Sequence, residues 1–143
     1  MKKILVASDG SAAAERAVAF AAELARGMAA ELLLLTVCVS VGDGDLERFS
    51  LSEHASVMEV LEAEARSILA RARSIAEGKG VRGLKTILET GETASAILDC
   101  ARNAQVDVIV VGKRGRGHLA GLLLGSVSQK LVSLAPAVVI VVP

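Results

Sequence analysis

Aromatic side chains are almost absent from this sequence. Phe20 and Phe49 are the only two in 143 residues, with no Trp and no Tyr. That excludes a ligand site built from stacked rings, so a bound base would meet aliphatic side chains or backbone instead. Cysteine is equally scarce. Cys38 and Cys100 stand far apart with no C-x-x-C pair, which excludes both a disulfide scaffold and a zinc site. Each lies in or beside an apolar run, where a free thiol behaves as a small hydrophobe. No stretch reaches the roughly 18 apolar residues of a membrane-spanning helix. The apolar run 4–7, behind Lys2 and Lys3, is far too short for a signal peptide, and the expected location is the cytoplasm. Net charge is lacking too: 16 Lys and Arg balance 16 Asp and Glu. A neutral chain is a poor match for nucleic acid or a membrane surface.

One further absence is local. No Asp or Glu follows Asp107, whereas Lys113, Arg114, Arg116 and Lys130 do. The last quarter of the chain is therefore net basic, and the remainder net acidic. A basic end without acidic neighbours suits an anionic ligand.

What is present is aliphatic. Hydrophobic residues make up 52% of the chain, enough to fill the core of a single domain spanning residues 1–143. The short apolar runs 4–7, 32–39, 84–89, 106–111 and 137–142 read as strands buried on both faces. Between them the spacing predicts helices. In the first, Ala17, Phe20, Ala21, Leu24 and Ala25 recur at helical intervals, and Gly27 marks its end. The second covers 54–77, with Leu61, Ala65, Ile68, Ala72 and Ile75 on one face, and stops at Gly78 and Gly80. A third covers 93–103, and a fourth covers 126–135 before Pro136. Residues 41–52, with Gly42, Asp43, Gly44 and Asp45, read as a loop. Alternation of strand and helix implies right-handed crossovers and a parallel sheet with helices on both faces. Such sheets bind ligands beyond the carboxyl ends of strands where strand order reverses. Two segments stand just after strands: Ser8-Asp9-Gly10, and the glycine-rich stretch from Gly112 to Gly125.

The second segment carries a spaced pattern: Gly112, Gly115, then nine residues, then Gly125-Ser126. Glycines let backbone N–H groups approach phosphate oxygens, and successive N–H groups form an anion-binding hollow. Gly125-Ser126 opens a helix, whose first N–H groups and dipole favour an anion. Lys113, Arg114 and Arg116 add charge. The same residues also suit a plain turn and a capped helix, since Ser126 and Gln129 fit the S-x-x-Q capping box. No G-x-x-x-x-G-K-[ST] loop occurs. Gly115-x-Gly117-x-x-Ala120 fits a dinucleotide fingerprint, but the acid required about twenty residues later for the ribose is missing.

With these residues in place, the sequence resembles the ATP-binding universal stress proteins, whose signature is G-x-x-G, nine residues, G-[ST]. The likeness runs the whole chain, from the opening 3–11 and the second strand 34–37 to Gly125-Ser126-Val127-Ser128 and the closing 136–143. It implies a five-stranded sheet ordered 3-2-1-4-5. It implies that Ala7, Ser8 and Asp9 line the adenosine end, with Asp9 near the ribose. Val37 would meet the adenine edge through its backbone. Gly112, Lys113, Arg114, Gly115 and Arg116 would wrap ribose and phosphates, and Ser126, Val127 and Ser128 would hold the terminal phosphates. ATP, ADP or AMP is the implied cofactor, with Mg²⁺ or Mn²⁺ as companion, and a homodimer through the last strand is the implied partner. Thr93 departs from the family's usual proline, and a threonine there can cap the helix that follows.

Other residues carry less. Asp43, Asp45 and Glu47 lack the full calcium-loop pattern. His118 sits within the glycine-rich loop and His54 at the start of a helix. No G-x-S-x-G or H-E-x-x-H occurs, and no catalytic constellation emerges. The expected function is a nucleotide-binding regulatory or sensor module of the stress response. A slow ATPase or nucleotidyl transferase is the enzymatic alternative, and a nucleotide-free dimer the third.

Overall fold

A computed structural model describes residues 2–40, 51–115 and 124–143. Its elements alternate as expected: β1 (Lys3–Ala7), α1 (Ala12–Met28), β2 (Glu31–Val39), α2 (Leu51–Gly78), β3 (Lys85–Gly91), α3 (Thr93–Ala104), β4 (Val108–Gly112), α4 (Ser126–Leu134) and β5 (Val138–Val142). All strand pairs are parallel, in the order β3-β2-β1-β4-β5. Strand order therefore reverses between β1 and β4.

The period-two alternation of each strand divides its side chains between two cores. Ile4, Val6, Leu32, Leu34, Val108 and Val110 face α1 and α2. Leu5, Leu33, Leu35, Ile109 and Val111 face α3 and α4. The central strands carry runs of consecutive aliphatic residues because both faces are covered: Ile4, Leu5 and Val6 are wholly buried. α1 presents Ala14, Ala17, Val18, Ala21, Ala22 and Ala25 to the sheet, and these small side chains let the helix lie close. Leu131, wholly buried, anchors α4, contributing about 1.5–3 kcal/mol by its burial. At the far end of the sheet the Asp107 carboxylate accepts from the Lys2 and Lys3 N–H groups at 2.7 and 3.0 Å, joining β1 to β4. No helix among the described residues is long and apolar enough to cross a membrane.

Four local expectations are revised. α1 runs past Gly27 to Met28, and Ala29 takes the left-handed conformation (φ 53°) that ends it. The Ala30 N–H closes the turn on the Ala25 carbonyl at 2.9 Å. Phe20 is 42% exposed, because it lies roughly 120° round the helix from the centre of the buried face at about 100° per residue. α2 begins at Leu51, three residues before the expected start. β4 begins at Val108 rather than at residue 106, since the Val106 N–H bonds back to the Ala101 carbonyl as part of the α3 terminus. The expected loop over 41–50, with Asp43, Asp45, Glu47 and Phe49, lies outside the described residues, as do Arg116, Gly117, His118 and Ala120.

Candidate functional site

Where strand order reverses, a cleft of about 300 Å³ opens at the carboxyl ends of β1, β2 and β4. Ala7, Ser8 and Asp9 form one wall and Val37 another. Gly112, Arg114 and Gly115 form a third, and Gly125, Ser126, Val127 and Ser128 close the fourth side. Eleven of the thirteen residues singled out from the sequence therefore meet at one place. Lys113 is not in the lining, and Arg116 is outside the described residues.

Five lining residues escaped the sequence reading: Ala14, Val39, Thr93, Ile97 and Val111. Ile97 and Val111 belong to the buried faces of α3 and β4, and a core position that also floors a cleft has no distinct signal. Val39 continues β2 beyond Val37. Thr93 stood out only as a possible helix cap.

The first loop is fixed by its own polar groups. Ser8 continues the sheet, its N–H bonding the Leu35 carbonyl at 2.9 Å. The Ser8 Oγ accepts from the Gly10 N–H at 3.2 Å, and Asp9 Oδ1 accepts from the Ser11 N–H at 2.9 Å. Ser11 then caps α1, accepting from the Ala14 N–H at 3.2 Å. Each short polar side chain here substitutes for a backbone partner, as turn residues do.

The glycine positions have steric causes. A β-carbon on residue 112 would stand 2.9 Å from the Ala13 carbonyl carbon and the Ala14 nitrogen. That is backbone against backbone, so only glycine lets α1 approach the end of β4. A β-carbon on residue 115 would collide with the Asp9 Oδ2. Gly125 packs on the backbone of Lys113 and Arg114, and its N–H bonds the Lys113 carbonyl at 2.9 Å. The buried Ser128 hydroxyl donates to the Gly112 carbonyl at 2.8 Å and lies 3.2 Å from the Lys113 carbonyl. Lys113 itself extends the ladder to β5, its N–H bonding the Val142 carbonyl at 2.6 Å. The Lys113 backbone is thus held from both sides, while Arg114 faces the cleft.

Three helices direct their first turns towards this cleft, through Ala14 of α1, Thr93 of α3 and Ser126 of α4. The ends are not equivalent. Ser11 caps α1. Glu92 caps α3, its carboxylate accepting from the Ala94 N–H at 3.2 Å and the Ser95 N–H at 2.8 Å. The N-cap of α4 is Gly125, which has no side chain to offer. The expected capping box does not form, because Ser126 is already the first helical residue. Gly125 is held extended (ψ 167°) by its bond to Lys113. The first N–H groups of a helix lack intrahelical partners, and among the described residues α4 has no side-chain cap hydrogen bond.

Charge follows the same division. Hydrogen bonds from the Ser95 hydroxyl and backbone, and from the Ala94 N–H, hold the Glu92 carboxyl below the usual glutamate range, with Lys130 assisting. Lys130 Nζ stands 3.7 Å from it. The α3 end therefore already holds an anion, whereas the α4 end is open to one. Burial pushes the Cys38 and Cys100 thiols up, so neither is a poised thiolate. No group of three or more His, Cys, Asp or Glu suited to a metal occurs among the described residues.

A doubly wound parallel sheet, with a glycine-lined cleft where strand order turns back and one helix end receptive to anions, defines the class. The chain belongs to the universal stress protein family, whose model matches residues 1–143. A universal stress protein of Thermus aquaticus is 37% identical over 144 residues, spanning 99% of this chain and 98% of that protein. Among solved structures, universal stress protein UspA from Lactobacillus plantarum superposes with a TM-score of 0.87 at 26% identity, covering 99% of this chain and 97% of that one. The universal stress protein from Archaeoglobus fulgidus in complex with dAMP gives a TM-score of 0.68 at 25% identity, covering 100% of this chain and 98% of that one.

Proposed function

We propose that the cleft binds an adenine nucleotide, ATP or a close relative, and that the chain acts as a nucleotide-responsive module of the stress response. One observation carries the reading. Of the three helix ends at the cleft, only α4 has no side-chain cap, and it is the end joined to the glycine turn. N–H groups of Ser126, Val127 and Ser128, with Arg114 beside them, suit phosphate oxygens. Val37, Val39, Ile97 and Val111 give the cleft apolar lining for a base. The dAMP complex of the Archaeoglobus relative supports an adenine ligand.

A divalent cation, Mg²⁺ or Mn²⁺, would be held chiefly by phosphate oxygens. Asp9 is the one carboxylate lining the cleft among the described residues. We further propose a homodimer through β5. This edge strand pairs only with β4 among the described strands, and Val132, Leu134 and Val138 leave apolar surface beside it, each more than half exposed. Pairing would remove an edge that otherwise invites aggregation.

Equilibrium dialysis tests the nucleotide. Binding should be saturable and should tighten from adenosine through AMP to ATP as phosphates reach α4. Absence of binding at millimolar ATP refutes the reading. Equal affinity for adenosine and ATP would remove α4 from it. Multiple-turnover phosphate release with Mg²⁺ would make the module an ATPase instead.

A further inference from the structure

We propose that Thr93 is a specificity residue of the cleft, its hydroxyl hydrogen-bonding the nucleoside part of the ligand; this rests on the nucleotide reading above. A threonine beside a helix start is ordinarily explained as a cap. Here that explanation fails. Thr93 is the first residue of α3 and Glu92 is the cap. The Glu92 carboxylate takes the Ala94 and Ser95 N–H groups and the Ser95 hydroxyl. The Ala94 and Ser95 N–H groups that a cap would take are already bonded to Glu92, and the Thr93 hydroxyl bonds no described group.

Thr93 nevertheless lines the cleft, half-buried, two residues beyond Gly91, which pairs with Val39 at the end of β2. The other hydroxyls of the lining are placed differently. Ser8 Oγ is bonded within its turn, and Ser128 Oγ is bonded to the glycine loop. Ser126 stands at the anion-receptive end. Thr93 supplies the cleft with a side-chain hydroxyl able both to donate and to accept. A polar group in an apolar lining discriminates, because a ligand that pairs with it gains and one that leaves it unpaired is penalised. With phosphates at α4, the part of the ligand beside Thr93 is the sugar and base.

Titration calorimetry of Thr93→Val and Thr93→Ser against the parent protein tests this. Valine keeps the shape and removes the hydroxyl; serine keeps the hydroxyl. Loss of one neutral hydrogen bond, about 1 kcal/mol, predicts roughly fivefold weaker binding of both adenosine and ATP to the valine variant. Serine should restore most of it. Affinity for inorganic tripolyphosphate and the melting temperature should not move. Unchanged adenosine and ATP affinity in Thr93→Val overturns the proposal, as does an equal loss for tripolyphosphate. Failure of the parent protein to bind adenosine or ATP overturns the nucleotide reading itself, a result distinct from parent and variant binding alike.

Discussion

The Asp9 carboxylate occupies the space that a side chain on residue 115 would need, its Oδ2 directly against Gly115. This contact joins the two loops that strand order brings together. Asp9 cannot simply swing aside, because its Oδ1 holds the Ser11 N–H at 2.9 Å and Ser11 caps α1. Gly115→Val should therefore displace either the loop or Asp9, and with it the cleft wall. We expect ATP affinity to fall at least about tenfold, near 1.4 kcal/mol, with the melting temperature little changed because the core is untouched. Calorimetry and thermal melts on one sample check both. Undiminished binding would show that this contact does not shape the site.

Two serines of the same helix should separate by what their mutation disturbs. Ser128 is 2% exposed and donates to the Gly112 carbonyl. Ser128→Ala should lower stability by about 1 kcal/mol and loosen the glycine turn. Ser126 is exposed and caps nothing. Ser126→Ala should leave stability within about 0.5 kcal/mol while weakening ATP binding. Denaturant unfolding with and without ATP distinguishes them, and identical behaviour of the two variants would contradict the geometry.

Glu92 gives a pH signature. Its donors favour the ionised carboxylate, so its folded pKa lies below the ordinary value. The stabilisation from its charge is then fully present above about pH 4.3, the ordinary glutamate pKa, and is lost as pH falls through the lower folded value. Glu92→Gln retains an acceptor for the cap but removes the charge. The melting-temperature gap between parent and variant should be constant from about pH 6 to 8 and close on acidification. A gap that widens in acid would reverse the assigned sign.

Much of the fold was legible because it is written in aliphatic periodicity. Runs such as Ile4-Leu5-Val6 and Val108-Ile109-Val110-Val111 are short, apolar at consecutive positions and rich in β-branched residues, which suits a doubly covered strand. The cleft was legible where backbone demanded a residue type. Gly112 and Gly115 have steric reasons that leave a trace in sequence. Thr93 and Ile97 carried no such trace, because a threonine beside a helix start and an isoleucine on a buried helix face have ordinary explanations. Capping was the least legible feature. Glu92 and Gly125, not Thr93 and Ser126, occupy the N-caps, since the choice depends on contacts such as Gly125 with Lys113 that lie 12 residues apart in the chain.

The end of α1 shows the same limit and can be corrected by exchange. Gly27 lies within the helix, and a β-carbon there would meet nothing within 4 Å. Ala29, by contrast, adopts the left-handed conformation at φ 53°. Glycine in a helix interior is less stable than alanine by roughly 0.5–1 kcal/mol, so Gly27→Ala should stabilise by that amount. An alanine in the left-handed region bears about 1–2 kcal/mol. Glycine would relieve this, less about 0.4–1 kcal/mol for its freer unfolded chain. Ala29→Gly should therefore also stabilise, by about 0.5–1 kcal/mol. The two sites act through different terms, one the helix interior and the other the closing turn, so the double variant should approach the sum. Chemical denaturation of both singles and the double decides it. Destabilisation by Ala29→Gly would mean that the alanine methyl contributes packing that offsets its backbone strain.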